Sequence, residues 1–301
     1  MRNTVLLALP KRTARPACLA YISTSQIRPS RPYVRVALIN MSRKIVKPIV
    51  LKNIYKLGFA TPGNFLPFLT TTKNFAAAKN WPNKIFNGFL RNNPPLIREV
   101  KVYNRIYALQ SLRDTFYSLT QAGIDALELK SKQIDPKSIS KIDHESGLND
   151  ILLGFIYGFP GYEVEIDRVK KLGDYKPDAI VKLIGEEKQY TFIIEFERSR
   201  CWEAIRKEKL YPLKDFKPER YDLPNYTKIL IVYAWERFNV FKRPIEWTPS
   251  IVELQKKHFR RFKHYTDKLT KIFLFASFHD FTRLNESVWQ TIDGSPRKLI
   301  Q

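Results

Sequence analysis

Not one aspartate or glutamate occurs before Glu99, whereas residues 1–98 carry 17 lysines and arginines. A solvated protein face normally mixes both signs. Whatever this stretch folds into therefore presents a cationic surface that its own side chains cannot neutralise. Residues 99–301 hold the other 35 basic and all 29 acidic residues, so most of the net charge of +23 is concentrated at one end. Such asymmetry points to a polyanionic partner. Apolar residues make up 44% of the chain, enough for packed cores and too many for global disorder. Its 301 residues leave room for two ordinary domains. No apolar run reaches the length of about 18 residues that a membrane-spanning helix needs. Cys18 and Cys201 make neither a disulfide framework nor a CxxC zinc motif. The chain reads as a cytoplasmic protein of a reducing compartment with no membrane partner.

Residues 1–40 are arginine-rich and have no coherent period. They read as a disordered leader or a start placed too early, with a DNA-binding arm and an organellar transit peptide as the competing readings. Met41 is the only internal methionine, and helical spacing begins directly after it with Ile45, Ile49, Ile54 and Leu57 before Gly58. Thr61-Pro62 predicts a capped second helix through Phe65 and Leu69. A third lies within Thr72–Asn92, broken near Trp81-Pro82. Leu96–Val102 and Thr115–Leu119 read as two strands, and Thr120 caps a last helix over Gln121–Leu129. Helix, helix, helix, strand, strand, helix is the order of a winged helix-turn-helix, so residues 41–129 form the expected DNA-binding domain. The polar stretch that begins at Lys130 and contains Pro136 is a linker, taken as residues 130–142. Residues 143–285 then alternate: a helix over Gly147–Phe159, strands over Tyr162–Val169, Asp178–Ile184 and Tyr190–Phe196, a helix over Cys201–Leu210, a strand over Lys228–Trp235, a basic helix over Ser250–Tyr265 and a strand over Lys271–Ser277. That alternation predicts an α/β domain, followed by a tail at 286–301. The fold class expected is thus a two-domain α+β chain.

Lys73, Lys79, Asn80, Asn83, Lys84, Asn87 and Arg91 lie in or beside the third helix. Lys84, Asn87 and Arg91 are spaced i, i+3, i+7 and share a face, while Ile85, Phe89 and Leu90 can point inward. Lysine and arginine neutralise phosphates, and asparagine or arginine bonds base edges in the major groove. Arg98, Lys101, Arg105 and Arg113 would sit on or near the wing. A helix for the major groove favours double-stranded DNA over RNA as partner. A second copy of the chain and replication proteins are further partners that the sequence leaves open.

The second half carries a different pattern. Pro177-Asp178-Ala179 opens one strand, Gly185-Glu186-Glu187-Lys188 is a polar turn, and Glu195 and Glu197 lie on the return strand. Centring the hairpin between Glu186 and Glu187 puts Val181 opposite Phe192 and Asp178 opposite Glu195. Strand alternation puts Glu197 on the same face as Glu195. Three converging carboxylates repel unless a cation or basic side chain lies among them, and oxygen ligands of this kind suit Mg²⁺ or Mn²⁺. Glu195 sits in Phe-Ile-Ile-Glu-Phe-Glu, where a buried charge needs a partner or a role. Lys207 and Tyr211 share a face of the next helix, from which Lys207 could reach the strand end and orient a water. His144 reads as a capping or packing residue. His258 and His264 share no helix face, and no glycine-rich phosphate loop occurs.

The order His144-x3-Leu148-Asn149-Asp150, Pro177-Asp178-Ala179, Ile194-Glu195-Phe196-Glu197-Arg198, then Lys207-x3-Tyr211 resembles the replication-relaxation family of bacterial, plasmid and mobile-element proteins. That family's winged helix ends in a motif like Tyr117-Ser118-Leu119-Thr120-Gln121-Ala122-Gly123. The second domain is also similar to the restriction-endonuclease-like, PD-(D/E)XK-type superfamily. The resemblance implies a DNA-binding protein of plasmid or mobile-element replication and relaxation, with Asp178 and Glu195 as metal ligands. Glu197 stands where that superfamily places a lysine, and Lys207 is the candidate replacement. The catalytic set implied is Asp178, Glu195, Glu197 and Lys207. A further acidic ligand is implied from Asp150, Glu145 or Glu163. Two outcomes are compatible with this resemblance: Mg²⁺-dependent strand cleavage, or a non-catalytic replication or transcription factor whose degenerate nuclease domain makes protein contacts. A toxin–antitoxin or defence component is a third class.

Overall fold

The computed structural model describes residues 43–69, 81–100, 115–129, 142–168, 170–197, 216–233, 272–291 and 294–300. Helix α1, Arg43–Leu57, buries Val46, Val50, Ile54 and Leu57 at helical spacing. It ends where Gly58 adopts φ 80°, a left-handed backbone that suits glycine. Helix α2, Pro62–Leu69, starts with proline in its first turn. Its cap is reciprocal: the Asn64 amide donates to Thr61 Oγ1 at 3.2 Å, and the Thr61 amide donates to Asn64 Oδ1 at 2.9 Å. Helix α3, Trp81–Leu90, begins at the expected break and buries Pro82, Ile85, Phe86 and Phe89. Strands β1, Ile97–Glu99, and β2, Tyr117–Leu119, pair antiparallel with Arg98 opposite Ser118. Thr120 caps helix α4, Gln121–Asp125, by accepting from the Gly123 amide. This helix is shorter than its periodicity suggests, because the chain leaves the helical region and Glu128 takes φ 54°.

Helix α5, Ile142–Gly158, starts five residues earlier than the apolar pattern indicates. Glu145 lies in its first turn, where a carboxylate complements the helix dipole. Seven strands follow in one sheet: β3 Glu163–Asp167, β4 Ala179–Ile184, β5 Gln189–Glu197, β6 Lys228–Tyr233, β7 Phe273–Ser277, β8 Trp289–Gln290 and β9 Pro296–Arg297. Spatial order follows chain order. Pairing is antiparallel from β3 to β5, parallel from β5 to β7 and antiparallel again to β9. Within the stretch read above as a tail, 286–301, β8 and β9 extend the sheet edge. Trp289 is fully buried and its indole donates to the Leu284 carbonyl at 2.9 Å. Two-residue strands are too short to show a period, so the sequence gives no sign of them. The fold is mixed α and β, with several helices and a multi-strand sheet.

The sheet is buried on both faces. Val181, Phe192, Ile194, Phe196, Leu230 and Val232 join one apolar cluster that continues through Leu152 and Phe155 of α5 into Val46, Phe65, Phe86 and Tyr117. The opposite face, with Ile180, Ile193, Ile229, Ile231 and Phe273, packs on Leu172, Tyr175, Phe216 and Leu223. The approach of α5 to β5 depends on Gly147, where an added Cβ would stand 2.5 Å from the Phe196 ring. Polar contacts tie α1 to β3 and α5: Lys56 Nζ donates to the Val164 carbonyl at 2.6 Å, and Asn53 Nδ2 donates to the Tyr157 hydroxyl at 2.9 Å. No helix among the described residues is long and apolar enough to cross a membrane.

Candidate functional site

The β4–β5 hairpin adopts the register that its polar turn predicts, with Val181 opposite Phe192 and Ala179 opposite Ile194. Asp178, one residue before β4, thus arrives beside β5 at the sheet end. Its Oδ2 accepts the Phe196 amide at 2.8 Å and lies 3.3 Å from His144 Nε2. Both side chains remain 19% exposed, so the pair opens to solvent. Glu195 is buried at 2% exposure, level with Ile231 of β6. There the Tyr175 hydroxyl donates to Glu195 Oε1. Burial first, and then the negative charge of Glu195, push the Tyr175 hydroxyl well above its ordinary pKa. The phenol is therefore a proton donor to the carboxylate and not a nucleophile in waiting.

Helix α5 supplies the other side of the site. Four of its side chains reach three directions: Glu145 and Asn149, four apart, share a face, with His144 and Asp150 to either side of it. His144 meets Asp178 and packs on the Phe196 ring at 5.4 Å between centroids. Glu145 pairs with Arg168, which follows β3. Asn149, fully buried, accepts from Arg168 Nη1 at 3.1 Å and donates to the Phe59 carbonyl at 2.9 Å. Asp150 Oδ1 accepts from Asn64 Nδ2 of α2 at 2.7 Å. Arg168 is the hub: it also donates to the Leu57 carbonyl at the end of α1 at 3.0 Å and lies 4.8 Å over the Phe59 ring. Burial lowers its pKa, while Glu145 and then Asp178 oppose that shift. Burial raises Asp150 to about 7, with the Asn64 hydrogen bond pulling the other way.

Asp178 and Glu195 are thus brought to one sheet end, whereas Asp150 turns toward α2 and Glu145 is engaged by Arg168. Glu163 is exposed on β3. Glu197 lies in β5, but its side chain, like Lys207 and the helix expected over Cys201–Leu210, falls outside the described residues. Among the described residues no group of three His, Cys, Asp or Glu side chains is disposed to hold a metal ion. A divalent ion at Asp178 and Glu195 would meet carboxylate oxygens that already accept Phe196 N–H, His144 and Tyr175. The chemistry this arrangement offers is a partly open carboxylate–imidazole pair backed by a buried carboxylate and a guanidinium. Sequence reasoning did not single out Arg168, which it placed within the strand over Tyr162–Val169, and it read Tyr175 as a core aromatic with no part at Glu195.

On α3, Lys84 is exposed and Asn87 half-buried, and Arg91, the first residue past the helix, is exposed as well, so the face inferred from the spacing points outward. Arg98 is exposed on β1, with its Nε 3.4 Å from Ser118 Oγ across the ladder. Lys47 of α1 is also exposed, close to Gly88 of α3. Among the described residues no carboxylate forms an ion pair with Lys47, Lys84 or Arg91. Lys73, Lys79, Lys101 and Arg105 lie outside the described residues. Comparison of the chain with protein-family models, with curated proteins and with solved structures found no match.

Proposed function

We propose that the protein binds double-stranded DNA through the helical module and that this binding serves replication or relaxation of a plasmid or mobile element. The observation that carries the DNA reading is the outward face of α3: Lys84 and Arg91 stand exposed, without a carboxylate partner among the described residues, in a stretch that has no acid before Glu99. The element order α1, α2, α3, β1, β2, α4 supports a winged helix in which α3 enters the major groove. The family resemblance alone supports the replication role. Anisotropy titration of a labelled duplex at several salt concentrations tests the binding. Affinity should fall log-linearly with salt, and Arg91→Ala should flatten the slope by about one unit. An affinity that does not change with salt would refute it.

A second reading, metal-dependent strand cleavage, is favoured by one observation: Asp178 and Glu195 reach the same sheet end in the register that such a site needs. Asp178 and Glu195 would hold Mg²⁺ or Mn²⁺, with Glu197 and Lys207 completing the set. The ion would supply charge neutralisation for a phosphodiester and activation of water. The chain's own part is clearer. Phe196 N–H orients Asp178, and Tyr175 holds Glu195. The engagement of both carboxylates by protein donors supports the competing idea, a recognition protein with a degenerate nuclease fold. Incubating supercoiled plasmid with the protein in Mg²⁺ and in EDTA separates the two: nicking in Mg²⁺ alone supports cleavage, and intact plasmid in both supports recognition.

A further inference from the structure

Glycine in the middle of a helix is costly. It gives up backbone freedom and, relative to alanine, destabilises by a substantial fraction of 1 kcal/mol. Gly88 stands in the third turn of α3, partly exposed, and needs no unusual backbone. Among the described residues nothing crowds it either. The nearest atom to an added Cβ is Lys47 Nζ at 3.7 Å, an ordinary contact with the end of a flexible side chain. Neither strain nor packing therefore calls for glycine here. What surrounds Gly88 is charge. Lys84 is four residues before it on the same helix face, and Arg91 is the first residue past the helix end. Lys47, from α1, closes the third side. All three are exposed and without an ion-pair partner among the described residues. A glycine in such a setting leaves bare backbone that a ligand can approach closely.

We infer that Lys47, Lys84 and Arg91 form a phosphate seat over Gly88, in which α1 and α3 together grip one phosphate of the DNA backbone. This deepens the DNA-binding reading and rests on it. Duplex DNA is favoured over an acidic protein because Lys84 lies on the face of α3 that the winged-helix order turns to the major groove, with Arg91 directly after the helix and Lys47 beside Gly88. Both lysines and the arginine can donate hydrogen bonds to its oxygens. Lys47 was not legible as a contact residue from spacing, since it lies 41 positions from Gly88.

The test uses the full chain, a labelled duplex and four proteins: wild type, Lys47→Gln, Gly88→Ala and the control Lys52→Gln, an exposed lysine elsewhere on α1. Lys47→Gln should lower the log–log salt slope by about one unit, so that it loses about fourfold less affinity than wild type between 50 and 200 mM salt. Lys52→Gln should leave the slope unchanged. Gly88→Ala should raise the melting temperature by about 2–4 °C yet weaken duplex binding about threefold or more, because its methyl group meets the phosphate. Those opposite signs are the signature of the seat. If wild type binds the duplex but Lys47→Gln matches Lys52→Gln, or Gly88→Ala stabilises without weakening binding, the seat is overturned and the DNA reading survives. If poly-glutamate of equal charge competes as well as the duplex, the seat belongs to an acidic protein. If wild type shows no salt-dependent duplex affinity, the DNA reading itself fails.

Discussion

Substituting Asp150 by asparagine separates burial from partnership at the junction of α2 and α5. Among the described residues the carboxyl has one hydrogen-bond donor, Asn64 Nδ2 at 2.7 Å, and burial lifts it from 3.8 to about 7. The sign is opposite to that of a salt-bridged aspartate. The folded state binds the proton more tightly than the unfolded chain, so stability from this group is greatest below pH 3.8, falls as pH rises and reaches its floor above about 7. A gap of about three pH units at 1.36 kcal/mol each gives about 4 kcal/mol, an upper bound because part of Asp150 faces solvent. Asparagine keeps the oxygen that Asn64 needs and never ionises. Asp150→Asn should therefore match wild type near pH 4 and become more stable than it at pH 8, by up to about 4 kcal/mol. Urea unfolding of both proteins at intervals between pH 4 and 8, followed by tryptophan fluorescence, reads the difference and cancels every other carboxylate. A difference that is flat with pH, or a variant weaker than wild type at pH 8, would refute the argument that burial dominates at this position.

Three further outcomes follow from the site. Asn149→Ala strips a donor from the Phe59 carbonyl and one of the acceptors of the Arg168 guanidinium, and should cost about 2–4 kcal/mol in urea unfolding. Gly147→Ala drives a methyl group into the Phe196 ring and should cost about 1–3 kcal/mol, where a purely propensity-driven change would stabilise α5; thermal melts distinguish the two signs. Under the cleavage reading, millimolar Mg²⁺ or Mn²⁺ raises the melting temperature by mass action, and both Asp178→Asn and Glu195→Gln abolish the rise while duplex affinity stays near wild type. A calorimetric titration with no heat of metal binding in the presence of DNA would end that reading.

Much of the fold is local enough to be legible in one sequence. Thr120 as a cap, Thr61-Pro62 as the start of α2 and Gly58 as the end of α1 depend on backbone chemistry within a few residues, and each is found where composition and spacing put it. The β4–β5 register is equally local, because a polar turn between two apolar runs leaves one pairing that buries both, and Val181 does face Phe192. The outward face of α3 follows from helical periodicity alone. Tertiary structure decided everything that joins distant segments. That α5 distributes His144, Glu145, Asn149 and Asp150 among the sheet end, Arg168, Phe59 and α2 depends on how the helix is rotated about its axis, which Gly147 against Phe196 determines. That Glu195 is held by Tyr175, and that Lys47 comes to rest by Gly88, are likewise consequences of packing between segments 20 and 41 residues apart. Sequence specifies which side chains an element can offer; the partner each one meets is chosen when apolar faces close on one another, and no local period encodes that choice.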